Sequence, residues 1–354
     1  MTTAPTAAAP SLTAPPSTSV LLTGVGLAVA GVETPGMLLD PPPTDPPAVD
    51  PRARLGKKGL RYKDRATQLA YCAAADALAA ARLLDEDGAL TVPGDSIGVV
   101  ASSNFGNVDT VCRAVDVIAK ETAAAGSPMD LPNASSNVVA SSVAIRFGLR
   151  GPNLMLCNGA TSGLDAVHWA AGLVRAGRAP RVLVLGVEPD NAHVRALLGG
   201  VPAFDGAGAL LIEDASATAE RGATALAGLG GYARGGGVVR LLNRLAEHAD
   251  SAAAMWLPPE TAGAGATDPG SSGSGSGTLD DPLPGVPRQG LRAVHGVASG
   301  ALGVLQCAAA AGWFARGGPG PVYAVSGGGP ADDAGAALAL HAPTAAEGFR
   351  RHGR

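Results

Sequence analysis

The sequence of 354 residues is poor in aromatic and charged side chains. Aromatic residues make up 3% of it and charged residues 16%, below the roughly 25% that is usual for soluble proteins. The net charge of −4 leaves no excess of basic residues to neutralise nucleic-acid phosphates. We therefore exclude a nucleic-acid-binding function. The core must be built mainly from Ala, Val and Leu, which favours close packing of helices on sheets.

Cysteines are few and far apart. None belongs to a CxxC pair, so we expect neither a zinc site nor a disulfide framework. We also expect no cofactor. Free thiols fit a reducing cytoplasm, which is the expected location. The apolar run over residues 20–32 is interrupted by Thr23 and two glycines, so it predicts a strand and a turn rather than a signal peptide or a membrane span. The cysteines are Cys72, Cys112, Cys157 and Cys307.

Alternating strand and helix patterns predict a layered α/β fold. The short, continuously apolar segment 96–101 suits a parallel or mixed sheet that is covered on both faces. The Ala-rich segment 67–84 is apolar nearly all round, which predicts a buried helix. Other strands are predicted at 19–30, 154–158, 181–188, 208–213, 228–232, 322–326 and 336–340. Other helices are predicted at 108–123, 137–147, 161–176, 238–249 and 300–315.

Composition also divides the chain. Residues 1–18 are Ala, Pro, Thr and Ser and predict a disordered tail. We predict a first half over 19–214 and a shortened second half over 215–345. The second half includes a Gly/Ser/Thr run at 261–277 that is typical of a flexible surface loop, and residues 346–354 form a final tail.

The segment 147–188 is the most informative for chemistry. It predicts a strand, a sharp turn, a buried helix and another strand. A strand-to-helix turn presents one side chain at a helix N-terminus, where the dipole and free N–H groups favour a thiolate or an oxyanion. This turn is therefore a natural place for a nucleophile.

Several segments, in order, resemble the β-ketoacyl synthases of the thiolase fold, especially those of type II polyketide systems. The resemblance covers roughly residues 19–342. It implies a thiolase-like α/β fold with two related α/β halves in layered α-β-α-β-α order. The segment VHGVASGALGVLQ resembles the family's GHxxGAAGxxE motif, which carries one of two catalytic histidines. The other matching segments are RLGKKGLRYKDRATQLA, SIGVVASSNFGN, GLRGPN, SGLDAVHWAAGLVRAG, FDGAGALLIED and SGGGPADDAGAALAL.

The chain departs from the family pattern at the catalytic positions. Counting from Gly151, the family's nucleophilic cysteine falls on Ala160, and a methyl group cannot form a thioester. We predict that Cys157, three residues earlier, is a small buried hydrophobe on the strand rather than a relocated nucleophile. The first catalytic histidine lies in an HGTGT motif, which we do not find, and the matching region 255–277 contains no histidine. His295 is the possible counterpart of the second, either as a vestige or as a ligand-facing residue.

Three other polar residues are candidates for the site. His168 is predicted to be a core or interface histidine rather than a catalytic one. His193 is predicted to lie in a solvated polar turn. We expect Asp165 to serve helix packing or an interface hydrogen bond.

One basic cluster has two interpretations that both stay open. It is either a solvated surface or a docking patch for an acidic carrier protein or a partner subunit. Its members are Lys57, Lys58, Arg61, Lys63 and Arg65.

The resemblance implies a specific role. Type II polyketide systems pair an active ketosynthase with a similar but inactive subunit, the chain-length factor, which shapes the tunnel that holds the growing polyketide or polyene chain. We expect this chain to be such a subunit, with an active β-ketoacyl-acyl carrier protein synthase as its heterodimer partner. The acyl carrier protein is a further partner, possibly reached through that synthase; no metal, membrane or nucleic acid is expected.

The same resemblance implies the residues that carry this role. The tunnel-lining helix is the one after the second strand. The strand before the turn would pair across the dimer axis. The tunnel residues are Val111, Cys112 and Val115. The interface residues are Leu154, Met155, Leu156, Cys157 and Asn158.

Two other functions compete with this one. The chain could be a self-sufficient acyltransferase or malonyl decarboxylase that uses Cys157 or His295. It could also be a homodimeric module that binds an acyl carrier protein.

Overall fold

The structure, a computed structural model, describes residues 19–128, 130–247, 249, 251–260 and 282–343. The predicted tails 1–18 and 346–354 and the predicted loop 261–277 lie outside these ranges. Within them the strands are β1 (Val20–Ala28), β2 (Ile97–Ser102), β3 (Asn153–Leu156), β4 (Arg181–Glu188), β5 (Gly206–Asp214), β6 (Ala227–Gly235), β7 (Met255–Leu257), β8 (Val322–Gly327) and β9 (Gly335–His341). The helices are α1 (Pro51–Leu55), α2 (Arg65–Ala80), α3 (Val108–Lys120), α4 (Asp130–Asn133), α5 (Val138–Phe147), α6 (Ser162–Arg175), α7 (Ala192–Leu197), α8 (Ala215–Glu220), α9 (Val238–Glu247) and α10 (Leu302–Ala315).

Every predicted strand and helix is present, with ends that differ by a few residues. Among the strands and α-helices of the described residues, the sequence patterns missed only short ones, namely α1, α4, α7, α8 and β7. Segments of three to six residues are too short to show a helix or strand period.

The strands form one mixed sheet in the order β3-β2-β4-β5-β1-β6-β9-β8-β7. In the first half, β2 is parallel to β3 and β4, and β5 is antiparallel to β4 and β1. In the second half, β7 is parallel to β8, and β9 is antiparallel to β8 and β6. The order β2-β4-β5-β1 is therefore repeated as β7-β8-β9-β6, which confirms two related halves. The boundary at residue 214 stays a prediction.

The two halves meet at a narrow seam. Only two residue pairs join β1 to β6, Leu21 with Gly228 and Leu22 with Ala227. In the described part of the second half, no strand takes the place that β3 has in the first half.

Side chains that alternate along the strands separate the core into layers. On β4, Val182 and Val184 face the cluster that contains the central helices α6 and α10. Leu183 and Leu185 face the opposite cluster, which contains α2 and α5. Strands β8 and β9 likewise face α10 on one side and α9 on the other. The two halves of the one sheet thus lie on either side of α6 and α10, so the layers run helix, sheet, helix, sheet, helix, as predicted.

Buried strands read as continuous apolar runs because both of their faces are covered. Every residue of β1, β2 and β4 is buried. No helix in the described part of the chain is long and apolar enough to cross a membrane.

Candidate functional site

The turn between β3 and α6 is the candidate site. Strand β3 ends at Leu156, and a 3-10 turn over Gly159–Thr161 leads into α6. Gly159 has φ +76°, a left-handed conformation that glycine adopts at little cost. Ala160 is partly buried in this turn and lines a half-open cleft of about 410 Å³. None of the described residues that line the cleft is a histidine; the charged ones are Arg234, Asp332 and Asp333.

Asn104 ties this turn to the head of α10. Its Oδ1 accepts hydrogen bonds from the Gly159 N–H at 3.2 Å and the Ser162 hydroxyl at 3.1 Å. Its Nδ2 donates to the Gly159 carbonyl at 2.9 Å and to Ser299 Oγ at 2.8 Å. One side chain, placed at the end of β2, thus links the starts of both central helices.

Glu188, the last residue of β4, is fully buried beneath this link. Its carboxylate accepts from the Ser103 hydroxyl at 3.0 Å and from the N–H groups of Asn104 at 2.7 Å, Phe105 at 3.0 Å and Gly300 at 2.9 Å. Burial raises the pKa of Glu188 to about 7, because the lost hydration outweighs these hydrogen bonds. Sequence reasoning missed this residue, although a carboxylate that ends an apolar strand is a visible signal.

A second carboxylate, Glu260, closes the head of α10. It accepts from the N–H of Ala298 at 2.6 Å and of Ser299 at 3.0 Å. Burial raises its pKa. Together with Glu188, it leaves three consecutive N–H groups at this helix start bonded to the protein's own carboxylates, so this helix head is not open to an external anion.

Asp165 organises the other side of the turn. This buried carboxylate accepts hydrogen bonds from Tyr232, Asn158 and Thr161, and Arg234 Nε lies 3.5 Å from its Oδ2. Burial, followed by the contact with Asp165, raises the pKa of Tyr232. These bonds brace the first turn of α6, so Asp165 serves packing within the chain.

His168 lies on the exposed surface of α6, where its ring stacks on Tyr232 with centroids 4.0 Å apart. Burial of part of the ring lowers the pKa of His168. The prediction of a core position is therefore wrong, and an interface position stays a prediction.

Within the described ranges, no group of three or more His, Cys, Asp or Glu side chains is placed to hold a metal ion. The site is thus a turn whose central side chain is a methyl group, braced by amides and carboxylates.

The model of the N-terminal domain of β-ketoacyl synthases matches residues 45–248, more than half of the chain. The chain belongs to the β-ketoacyl synthase family. It is 26% identical over 234 residues to a 3-oxoacyl-[acyl-carrier-protein] synthase 2 of Staphylococcus aureus, covering 59% of this chain and 57% of that protein. It is 25% identical over 184 residues to the enzyme of the same name from Vibrio harveyi, covering 45% of this chain and 44% of that protein. The chain thus spans about half the length of the curated relatives it matches.

Solved structures agree on the fold. The ishigamide ketosynthase/chain length factor superposes with a TM-score of 0.67 at 22% identity, covering 92% of this chain and 99% of that one. A β-ketoacyl synthase from Burkholderia phymatum superposes with a TM-score of 0.67 at 17% identity, covering 92% of this chain and 99% of that one. A ketosynthase in complex with a type II polyketide synthase acyl-carrier protein superposes with a TM-score of 0.65 at 15% identity, also covering 92% of this chain and 99% of that one. At these identities the likeness establishes the thiolase-like fold.

Cys157 does not lie where the sequence predicts. The expected buried position on the strand is wrong, because β3 ends at Leu156 and the following residues turn outward to reach Gly159. Cys157 is exposed. Partial loss of hydration and then the negative charge of Glu188 raise the pKa of its thiol. A thiol with a raised pKa is mostly protonated at neutral pH and is a poor nucleophile.

His295 is exposed in the loop that precedes α10. In the family's GHxxGAAGxxE motif, the histidine comes three residues before the glycine that opens the GAAG segment. With Gly300 as that glycine, the histidine position falls on Val297, two residues after His295. The backbone of Val297 is bonded to residues 202 and 204. His295 stays a prediction, and the motif spacing does not support it.

His193 lies in the first turn of helix α7 rather than in a polar turn, so that prediction is wrong. Asn191 caps this helix by accepting from the N–H groups of His193 and Val194. His193 Nε2 lies 3.8 Å from Asp109 Oδ1 on α3, which brings the two helices together.

The predicted tunnel residues lie on the outer surface of α3. Val111 and Val115 are exposed and share a helix face with Ile118, which is also exposed. Cys112 is partly buried about a quarter turn away. In the isolated chain this apolar face has no cover among the described residues.

The predicted interface strand β3 lies at the edge of the sheet. Ile145 on α5 is 82% exposed and Trp169 on α6 is 57% exposed. Because α5 and α6 pack on opposite faces of β3, these two side chains flank its edge. Of the predicted interface residues, Leu154, Met155 and Leu156 are partly buried, and Cys157 and Asn158 are exposed.

The predicted basic cluster separates into two groups. Arg65 pairs with Asp205 through two hydrogen bonds, and Lys63 Nζ donates to Ser142 Oγ at 3.0 Å. Lys57, Lys58 and Arg61 are exposed. Both interpretations of the cluster, a solvated surface and a docking patch, stay predictions.

Proposed function

We propose that this family member is a noncatalytic ketosynthase-like subunit of the chain-length-factor kind. It pairs with an active β-ketoacyl-acyl carrier protein synthase and shapes the tunnel that sets polyketide or polyene chain length. The observation that carries this proposal is Ala160, whose methyl group occupies the turn at the head of α6. Without a nucleophile there, an acyl chain has no acceptor on this subunit.

The surroundings of Ala160 support the proposal. No described residue that lines the cleft is a histidine. An enolate formed by decarboxylation would need such donors. The nearby thiol of Cys157 has a raised pKa, which argues against a relocated nucleophile. The turn at the head of α6 thus has neither a thiol at Ala160 nor a histidine among the described residues that line its cleft.

The exposed edge of β3 supports pairing with a second, similar chain. An edge strand offers unpaired N–H and C=O groups, and large apolar side chains beside it favour burial by a partner. Ile145 and Trp169 provide such side chains on the two faces of the sheet. The chain-length-factor role makes an active ketosynthase the partner.

The apolar face of α3 supports a role in the tunnel. Val111 and Val115 are of moderate size, and a partner that covers them would leave room for an acyl chain beside them. Larger side chains at these positions would shorten that space.

The test is co-expression with an active ketosynthase of a type II polyketide system, followed by intact-mass analysis after incubation with acyl and malonyl carrier proteins. We expect a stable complex in which the ketosynthase gains the acyl mass and this chain does not. The matched control is Cys157→Ser, which should leave product formation unchanged.

Other outcomes would contradict the proposal. An acyl mass on this chain that Cys157→Ser removes, or carbon dioxide released from malonyl carrier protein by the chain alone, would establish a self-sufficient enzyme. A stable homodimer that ignores the ketosynthase in light scattering would favour a carrier-protein-binding module.

A further inference from the structure

Helix α3 is held weakly by its own packing. Thr110 is its one buried residue, and the remaining side chains are partly buried or exposed. A helix that buries so little apolar surface is not fixed in place by hydrophobic contacts. Polar contacts hold it instead, namely the approach of His193 on α7 to Asp109 and the connection at its N-terminal end.

That connection, residues 103–107, is bonded to one carboxylate. Glu188 accepts from the Ser103 hydroxyl and from the N–H groups of Asn104 and Phe105. These are three consecutive residues of the segment that leads from β2 into α3.

The other side of the connection lies against the head of α10. The fourth donor to Glu188 is the N–H of Gly300. A Cβ at Gly300 would lie 2.8 Å from Glu188 Oε1 and 3.0 Å from the Cα of Ser103. The connection is therefore clamped between the end of β4 and the start of α10, with no room for a side chain between them.

We propose that Glu188 is a positioning residue that fixes helix α3 through residues 103–105. The consequence for product length rests on the proposed function: by fixing α3, Glu188 also fixes where Val111 and Val115 lie. Nothing in the reaction itself is assigned to Glu188.

The chemistry requires a carboxylate rather than an amide. Both oxygens of Glu188 accept hydrogen bonds, whereas glutamine offers one acceptor and one NH₂ donor. The Ser103 hydroxyl can rotate and accept from an NH₂ group. The Phe105 N–H can only donate. In Glu188→Gln it therefore faces the NH₂ group of the glutamine, which is also a donor, and its hydrogen bond is lost.

The test is hydrogen–deuterium exchange of the full chain, read by peptide mass spectrometry. We expect Glu188→Gln to accelerate exchange over residues 103–112 by about tenfold, the effect of one lost hydrogen bond to a charged group. The control is Glu213→Gln, since Glu213 is also fully buried but is bonded to Arg181, Arg221 and Thr23. Equal exchange over 103–112 in the two variants would overturn the proposal.

A milder variant guards against misfolding. Ser103→Ala removes one hydroxyl donor and keeps the carboxylate, and we expect about threefold faster exchange in the same peptides. If Ser103→Ala folds and exchanges like the unmodified chain while Glu188→Gln does not fold, the proposal fails.

A second measurement separates this proposal from the proposed function. Products of the complex with the ketosynthase are compared for Glu188→Gln and for Val115→Trp. Faster exchange in Glu188→Gln together with products that change in both variants supports both proposals. Faster exchange with products unchanged in both supports the positioning role of Glu188 and rejects the tunnel role of α3.

Discussion

Gly163 of α6 and Gly303 of α10 touch backbone to backbone where the two central helices cross. A Cβ on Gly163 would lie 2.7 Å from the Gly303 nitrogen, and a Cβ on Gly303 would lie 2.3 Å from the Leu164 nitrogen. The two helices come from different halves of the fold. This contact therefore sets the distance between the helix heads at which Ala160 and Ser299 lie.

Gly163→Ala should destabilise the protein. The added methyl group meets backbone, which cannot move aside as a flexible side chain can, and overpacking of this kind costs about 1–3 kcal/mol. The control is Gly172→Ala on the same helix, where a Cβ meets no atom within 4 Å. Helix propensity predicts a gain of up to about 1 kcal/mol for the control. Urea unfolding measures both, and equal free energies of unfolding would contradict the close contact.

The fold was predictable from sequence because its strands are long apolar runs and its central helices are rich in small residues. The sequence indicates that α6 and α10 are buried. It does not indicate that Gly163 meets Gly303, because the two are far apart along the chain and no local pattern links them. Contacts of this kind follow from topology and become visible only in three dimensions.

Cys112→Trp and Val115→Trp should shorten the product made with the ketosynthase. Each substitution adds an indole to the surface of α3 that the proposed tunnel uses, so the steric limit is reached earlier. Arg113→Trp is the control, because Arg113 lies on the opposite side of the helix and pairs with Asp109. Mass analysis of the products is the measurement. Product lengths that are the same in all three variants would count against the tunnel role.

Stability should fall as the pH rises through the window set by Glu188. Its pKa is raised from 4.5 to about 7. Between these values the folded protein keeps a proton that the unfolded chain has released. The free energy of unfolding therefore decreases with pH in this range, by about 3 kcal/mol at most from this group.

Glu188→Gln provides the comparison for this pH dependence. Asp64 and Glu260, whose pKa values are also raised by burial, remain in both proteins. Urea unfolding at pH 5 and pH 7.5 should give a smaller loss of stability for the variant. If the unmodified protein and the variant lose the same free energy of unfolding between pH 5 and pH 7.5, Glu188 titrates near its ordinary pKa.

Glu188→Gln should also make Cys157 more reactive. The charge of Glu188 raises the pKa of this thiol, so its removal increases the thiolate fraction at a given pH. We expect the midpoint of the pH–rate profile for alkylation of Cys157 by iodoacetamide to move to lower pH. Glu213→Gln should leave the midpoint unchanged. A higher plateau with the same midpoint would indicate loosened structure instead of a charge effect.

The candidate site was only partly predictable. A count of residues along a motif is enough to find Ala160, because the turn between β3 and α6 is local. Neither the exposure of Cys157 nor the contacts of Glu188 could be obtained this way. The exposure of Cys157 depends on where β3 ends. Glu188 accepts hydrogen bonds from the segment after β2 and from the head of α10, which are distant from it in the sequence.

The two ends of the sheet differ in a way that limits assembly. Beyond β7, Trp256 exchanges hydrogen bonds with residues 287 and 289 at 3.0 Å, so this side is already occupied. At the other end β3 has β2 as its neighbour within the described residues, and its far side is free. Among the described residues β3 is therefore the open edge of this sheet, and a second, similar chain that pairs with β3 covers it. Such an association is self-limiting and stops at a pair, so it cannot propagate into a fibre.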